Sequence, residues 1–453
     1  MKIVIIGSGK VGSNLSHSLT KEKHDITIID CNSNALKKIQ DTQDVMCIVG
    51  NGADVETQLQ ASVDKSGILI ATTHHDELNL LCCLIAKRLG AERTISRVRN
   101  PLYYKQIDLI KDDLRLSMII NPEDTTANEI FRVLAFPPAV KVETFANGRV
   151  ELVEHKLTER STIVNTSLAD IYKHTKIKCL ICAVERDGKI YIPSGDFVLK
   201  ANDKINVTAT HKDLEKFFKV SNNSQAKTKV KNMMIVGGGR LCYYLTKKLL
   251  AVGMRVKIFE IDLERCKELA ETFPNATIIN GDGTDQELLM EEGLDQVDGF
   301  ASLTGIDEEN IIMSLYAKNN SNAKVITKIN RDSYSQITAQ LGLDCVVAPK
   351  NLTVSNILSY VRSLDTTNSK IEALYHIVGN QVEAIEFKVT NPIEDLTGIP
   401  LKDVKLKKNI LICGIIRKRD LIIPDGRSII SLGDTVIVIC KDYHFSDLED
   451  ILE

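Results

Sequence analysis

The sequence predicts an α/β protein of two tandem, doubly wound parallel sheets, each followed by a small α+β segment. Three observations carry that prediction. A glycine-rich turn occurs twice, as Gly7-Ser8-Gly9-Lys10-Val11-Gly12 and as Gly237-Gly238-Gly239-Arg240-Leu241-Cys242. Each turn follows a short apolar run, Ile3-Val4-Ile5-Ile6 or Met233-Met234-Ile235-Val236, and precedes an amphipathic stretch. This strand, turn, helix order is that of a phosphate-binding βα unit. Finally, a shift of about 230 residues aligns the two halves far beyond the turns, the mark of an internal repeat.

The elements then follow in order. Val11, Leu15 and Leu19 match Leu241, Leu245 and Leu249, and the four-residue spacing gives each predicted helix one apolar stripe. The second strands, Ile26 to Asp30 and Val256 to Glu260, each end in a carboxylate about 20 residues beyond the glycines, where a ribose hydroxyl pair is read. Past the third strands, Gly50-Asn51-Gly52-Ala53-Asp54 lines up with Gly281-Asp282-Gly283-Thr284-Asp285. Thr73 to Asn79 matches Thr304 to Asn310, and Arg97 falls on Lys328 at the end of a fifth strand. Alternating strands and helices imply parallel sheets, whose ligands sit outside the carboxyl ends of the strands where strand order reverses.

Each large unit is followed by a strand-rich segment, at about 147–218 and 375–453, whose turns Pro193-Ser194-Gly195 and Pro424-Asp425-Gly426 precede a final alternating strand. Ser221 to Lys229 is polar and aperiodic, a linker by composition. The expected limits are 1–140 and 141–220 for the first pair, 221–230 for the linker, and 231–365 and 366–453 for the second pair.

Bulk properties narrow the function. The net charge of -3 provides no basic field, and aromatics at 5% without Trp provide few stacking platforms, so no nucleic-acid partner is expected. No apolar run approaches the roughly 18 residues of a membrane span. The first strand begins at Lys2 and leaves no room for a signal peptide, so the cytoplasm is the expected compartment. The 11 cysteines lie inside apolar runs rather than at disulfide-framework spacings, and Cys179 and Cys182 read as packing within one strand.

The candidate phosphate cradle is Gly7, Ser8, Gly9, Lys10, Val11 and Gly12, with Asp30 for the ribose. Its alternatives are a ligand-free tight turn and a solvated loop acid. Asn51, Gly52 and Thr73 stand on strand-end loops facing the same crevice. Arg97 and Arg99 either bring charge to phosphates or form ion pairs along a domain edge. In the second copy the candidates are Gly237, Gly239, Arg240, Leu241, Glu260, Asp282, Thr304 and Lys328. There Cys242 replaces the third glycine, which gives close helix packing, so this copy is the weaker site. Lys10 and Arg240 share one place, beside the phosphates or at a solvated helix start. An acid at Asp30 disfavours a 2′-phosphate, which leaves NAD(H), ATP and ADP.

His74, His75 and Asp76 lack further ligands at metal-site spacing and read as crevice lining. No catalytic residue stands out. An NAD-dependent oxidoreductase would need a proton-transfer group at the nicotinamide. The small segments contain His155, His174, His211, His376 and His444, without an acid at a useful spacing.

The order Gly7-x-Gly9-x-x-Gly12, Asp30, Gly50-Asn51-Gly52, Thr73 to Asn79 and Arg97-Val98-Arg99-Asn100-Pro101, then a small β-rich domain and a repeat of the whole, resembles the TrkA family. Gly281 to Leu289 is especially close to its pattern. These are cytosolic regulatory subunits of bacterial Trk potassium-uptake systems, built from two tandem RCK (regulator of K⁺ conductance) units. The resemblance implies two Rossmann-like domains, each with an RCK C-terminal domain. It also implies a homo-oligomeric gating ring, dimer or tetramer, at the inner face of the plasma membrane beneath a Trk-type potassium channel subunit. The large domains would bind NAD(H), with ATP and ADP as alternative ligands. Binding roles carry to Gly7, Gly9, Gly12, Asp30 and the Arg97/Arg99 region, and to Gly237, Gly239 and Glu260. Cys242, Lys10 and Arg240 depart from the family pattern. The alternatives are an oxidoreductase and a gating subunit of a different potassium channel or efflux system.

Overall fold

β1 (Lys2–Ile6) buries Ile3, Val4, Ile5 and Ile6 on both faces, as the central strand of a covered parallel sheet must. The computed structural model describes residues 1–453 apart from 137–138, 146–148, 222–229, 344, 366–370, 378–380, 419, 444 and 446. The predicted linker 222–229 and His444 therefore lie outside the described residues, as does the side chain of His376.

From β1 the chain alternates through α1 (Lys10–Lys21), β2 (Asp25–Asp30), α2 (Ser33–Gln40), β3 (Met46–Val49), α3 (Val55–Gln60), β4 (Ile68–Ala71), α4 (Asp76–Leu89), β5 (Arg93–Arg97), α5 (Pro101–Ile110), β6 (Met118–Ile120) and α6 (Pro122–Ala135). The strands form a six-stranded sheet in the order β3-β2-β1-β4-β5-β6, paired in parallel throughout. Strand order reverses between β1 and β4, which opens a crevice above their carboxyl ends.

A small antiparallel sheet follows, from β7 (Ala139–Phe145), β8 (Val150–Lys156), α7 (Leu168–Thr175), β9 (Cys179–Arg186), β10 (Lys189–Tyr191), β11 (Lys204–Ala209) and α8 (His211–Ser221), in the order β10-β9-β11-β8-β7.

The second copy repeats the plan with β12 (Asn232–Val236), α9 (Arg240–Ala251), β13 (Arg255–Glu260), α10 (Leu263–Thr272), β14 (Thr277–Asn280), α11 (Gln286–Glu291), β15 (Gly299–Ser302), α12 (Asp307–Asn320), β16 (Lys324–Lys328), α13 (Ser335–Gln340), β17 (Val346–Val347) and α14 (Pro349–Asp365). Its sheet runs β14-β13-β12-β15-β16-β17. The last sheet, from β18 (Ile371–Ile377), β19 (Val382–Lys388), β20 (Ile410–Arg417), β21 (Asp420–Ile422) and β22 (Thr435–Lys441), runs β18-β19-β22-β20-β21.

The sequence order is large, small, large, small, but the fold groups like with like. One compact unit holds the two large sheets, 1–130 and 232–358, and the other spans 131–231 and 359–453. Within the first unit, Tyr244 on α9 joins the lobes. Asn121 Nδ2 donates to its hydroxyl at 2.8 Å, the hydroxyl donates to Arg99 O at 3.2 Å, and Lys248 pairs with Asp124 at 2.9 Å. Within the second unit the small sheets share one core, in which Phe145, Leu152 and Cys182 meet Ala384, Cys413 and Ile437.

Candidate nucleotide site

The two glycine turns have matching backbones. Gly7 and Gly237 take φ of +103° and +98°, values that favour glycine, and their N–H groups donate to Ile29 O and Phe259 O, both at 2.9 Å. Gly12 lies behind the first turn. A Cβ there would stand 1.9 Å from Gly7 O, so α1 can approach β1 this closely only with glycine at that place. Cys242 does carry a Cβ, so the second turn and α9 cannot approach as closely as Gly12 allows in the first. The cysteine is fully buried, and burial pushes its thiol up to about 12.

Gly9 presents the opposite case. It has an ordinary φ of -64° as the N-cap of α1, and a Cβ on it would meet nothing within 4 Å. No packing within the chain asks for glycine here. What lies against Gly9 is a cleft of about 880 Å³ at the strand-order reversal. α1 has no side-chain cap and no acid in its first turn, so its leading N–H groups are left for an anion.

From the first lobe, Gly7, Ser8, Gly9, Lys10, Val11, Asp30, Asn51, Gly52, Thr73, Arg97 and Arg99 line this cleft. The second lobe, within the same compact unit, contributes Gly239, Arg240, Leu241 and Lys328. Gly237, Glu260, Asp282 and Thr304 do not line it. The predicted residues of the two copies therefore divide. The first copy's set, apart from Gly12, surrounds one cleft, and Gly239, Arg240, Leu241 and Lys328 of the second copy face that same cleft; Gly239 and Arg240 also border a separate cleft of about 600 Å³, together with Arg265.

Asp30 is bound to the turn. Its Oδ2 accepts from Ser8 N at 2.6 Å and Ser8 Oγ at 2.7 Å, and its Oδ1 accepts from Asn32 N at 2.8 Å. Burial works to raise its pKa, but these donors hold the carboxyl below its ordinary value. Glu260 repeats the arrangement, accepting from Gly238 N at 2.7 Å and Asp262 N at 2.9 Å.

Cations gather at the far end. Burial, reinforced by neighbouring Arg99, pushes Arg97 down to about 10, with Arg240 adding to the repulsion. Burial also pushes Lys328 down, against the pull of Glu123 and Asp307. Lys328 Nζ donates to Thr304 O at 3.0 Å, and Arg97 donates likewise to Thr73 O. Arg99 forms an ion pair with the buried Glu123. Arg97 Nε and Glu123 Oε2 are buried, and among the described residues neither has a hydrogen-bond partner. Such orphaned atoms are costly.

Glu123 and Lys350, the latter paired with Asp332 at 3.0 Å, line the cleft but were not among the predicted residues. No local pattern marks them, because they reach the site from the starts of α6 and α14. Asn79 and Asp76 had a signal, since both stand in the aligned Thr73 to Asn79 stretch. Asn79 Nδ2 donates to Arg97 O at 3.0 Å, and Asp76 accepts from Arg99 N and Asn100 N at 2.8 and 2.7 Å. Asn310 and Asp307 do the same in the second lobe.

His74 and His75 are exposed at the cleft rim. Among the described residues no group of three or more His, Cys, Asp or Glu is arranged to hold a metal. At the start of α8 His211 does meet acids, Glu151 at 3.1 Å and Glu215 at 3.9 Å; Glu151 is 60 residues away and hidden in the sequence, whereas Glu215 stands one helical turn on. His211 lies exposed at the surface. No helix among the described residues is long and apolar enough to cross a membrane.

Two doubly wound lobes with dinucleotide-type turns, each followed by a small antiparallel sheet, define a tandem RCK-type architecture. The TrkA-N domain model matches residues 3–122 and 233–349, and the TrkA-C domain model matches 152–222 and 385–453. The chain belongs to the TrkA family. It is 32% identical over 452 residues to a Trk system potassium uptake protein TrkA homolog of Archaeoglobus fulgidus, covering 100% of both chains. To the Trk system potassium uptake protein TrkA of Haemophilus influenzae it is 30% identical, over 98% of this chain and 96% of the other. The GsuK channel shares the fold, with a TM-score of 0.65 at 15% identity over 97% of this chain and 77% of that one. The GsuK RCK domain does so with a TM-score of 0.63 at 16% identity over 97% and 92%.

Proposed function

We propose that the chain is the nucleotide-sensing regulatory subunit of a Trk-type potassium-uptake system. It assembles as a homo-oligomeric ring, dimer or tetramer, on the cytoplasmic face of a membrane potassium channel subunit and does not itself catalyse a reaction. Its ligand is NAD(H) or an adenine nucleotide, ATP or ADP. Family membership supports the potassium role, and a structure of the fold neighbour GsuK bound to NAD supports the ligand class.

The observation that carries the reading is Gly9, a glycine that the chain's own packing does not need, facing the cleft at an uncapped helix start. The ribose would sit at Asp30 and the phosphates over Gly9 and the α1 N–H groups. The far end of the ligand would reach Arg97 and Arg99, and across to Arg240 and Lys328 of the second lobe. One ligand touching both lobes stabilises the lobe arrangement it fits, which is what a regulator needs, since a ligand shifts an equilibrium only by its differential affinity.

The test is expression with a Trk channel in potassium-uptake-deficient cells. Growth at low potassium should return with the wild-type chain and weaken with Asp30→Ala. Equal rescue by both would remove this cleft from the mechanism. Absence of rescue together with NADH oxidation by the purified chain would replace the regulator with an enzyme.

A further inference from the structure

The two lobes share a plan, yet against the second turn leans a side chain that the first does not have. Ala35 stands five residues beyond Asp30, on α2, and lines the open cleft beside the carboxylate. The residue five beyond Glu260, on α10, is Arg265. Its Nε donates to Gly238 O at 2.8 Å, and its guanidinium is held by Glu268 at 2.7 Å. The side chain thus lies back across the mouth of the turn.

A second difference lies beside the acid. Where the first turn has Ser8, whose hydroxyl binds Asp30, the second has Gly238. A Cβ at Gly238 would come within 2.6 Å of Leu269 Cδ1 and 2.9 Å of Glu260 Oε2, so those side chains already fill that space. The 880 Å³ cleft accordingly includes Gly239, Arg240 and Lys328 but none of Glu260, Asp282 or Thr304.

We infer that Arg265 occupies the adenosine end of the second turn, so that each chain takes one nucleotide, in the first lobe. The second lobe's cations then serve that same ligand. The inference rests on the reading of the first cleft as the nucleotide site, and the experiment separates the two.

Isothermal titration of the full chain with ATP, and in parallel with NADH, reads the stoichiometry directly. The wild type should bind about one nucleotide per chain, while Arg265→Ala and the length-preserving Arg265→Gln should bind about two. Asp30→Ala/Arg265→Ala should lose the first site and keep the regained one. Two sites in the wild type, with one lost in Glu260→Ala, would overturn the inference, as would one site in the wild type and still only one in both Arg265 variants. Binding only after Arg265 is removed would uphold the plug and sink the first-lobe reading. Binding by none of the chains would sink both.

Discussion

Replacing Gly9 with alanine separates the two explanations of a glycine turn, because at this position packing and ligand binding make opposite demands. In the free chain the added methyl meets nothing within 4 Å, and the φ of -64° suits alanine. Two small terms then act on stability. Alanine is a poorer N-cap than glycine by roughly 0.5 kcal/mol. Against that, it restricts the unfolded chain, a gain of about 0.4–1 kcal/mol. They nearly cancel, so the melting temperature should stay within about 2 °C of wild type. The ligand experiences something different. A phosphate held by the α1 N–H groups needs about 2.8 Å between nitrogen and oxygen, and the methyl projects into the cleft where those oxygens would sit. Losing one charge-assisted hydrogen bond costs about 1.5–3 kcal/mol, or roughly 10- to 150-fold in affinity. Thermal unfolding and ATP or NADH titration on the same preparation measure both quantities. Unchanged affinity with unchanged stability would mean that nothing approaches Gly9, and the nucleotide reading would fall with it.

Asp30→Ala should weaken binding by tenfold or more and also loosen the turn, because Ser8 N, Ser8 Oγ and Asn32 N lose their acceptor; titration calorimetry reads the first effect and hydrogen exchange at Ser8 the second. Lys328 predicts a pH dependence. Burial lowers its pKa in the free chain and a bound phosphate would raise it, so affinity is complete below the free value and declines as pH rises through the bound one. The decline should begin below the ordinary lysine range of about 10.4, and Lys328→Arg should abolish it; proton uptake on binding, from titrations in buffers of different ionisation enthalpy, checks the sign. Glu123→Ala leaves Arg99 without its acid and should cost on the order of 1–3 kcal/mol of stability in the free chain. Saturating ATP should then raise the melting temperature more than in wild type, since the phosphates take over the unpaired guanidinium.

What the sequence revealed about the site depended on whether a feature is local. Gly7, Gly9, Asp30 and the Val11, Leu15, Leu19 stripe belong to one strand, turn and helix, where fixed spacing and side-chain type carry the geometry. The joining of the two lobes has no such spacing: Asn121 and Tyr244 are 123 residues apart, and only the folded chain brings Arg240 and Lys328 to the first lobe's cleft. Glu123 was illegible for the same reason. The second copy was expected to be weaker because Cys242 replaces a glycine. That cysteine is absorbed, fully buried beside Thr246 at 3.6 Å. What leans on the second turn is Arg265, which reads in sequence as an ordinary surface position of an amphipathic helix until its hydrogen bond to Gly238 O is seen.

The asymmetry between lobes bears on how much each nucleotide must contribute to gating. Moving a ring from mostly closed to mostly open takes about 5.5 kcal/mol of differential binding. With one nucleotide per chain, that divides into about 2.7 kcal/mol per ligand in a dimer and about 1.4 in a tetramer. A single charge-assisted hydrogen bond of about 1.5–3 kcal/mol, present in one ring conformation and absent in the other, meets the tetramer's requirement throughout that range and the dimer's only at its top. Arg240 and Lys328 are placed to make such a contact, because they belong to the second lobe while the ligand is anchored in the first. A ligand long enough to reach them, or carrying one phosphate more, would differ from a shorter one by that contact alone. Neutralising Arg240 should therefore compress the difference in channel opening between ATP and ADP while leaving ADP affinity nearly unchanged. If instead Arg240→Gln weakened both nucleotides equally, the second lobe would be a passive wall of the site and the discrimination would have to arise within the first.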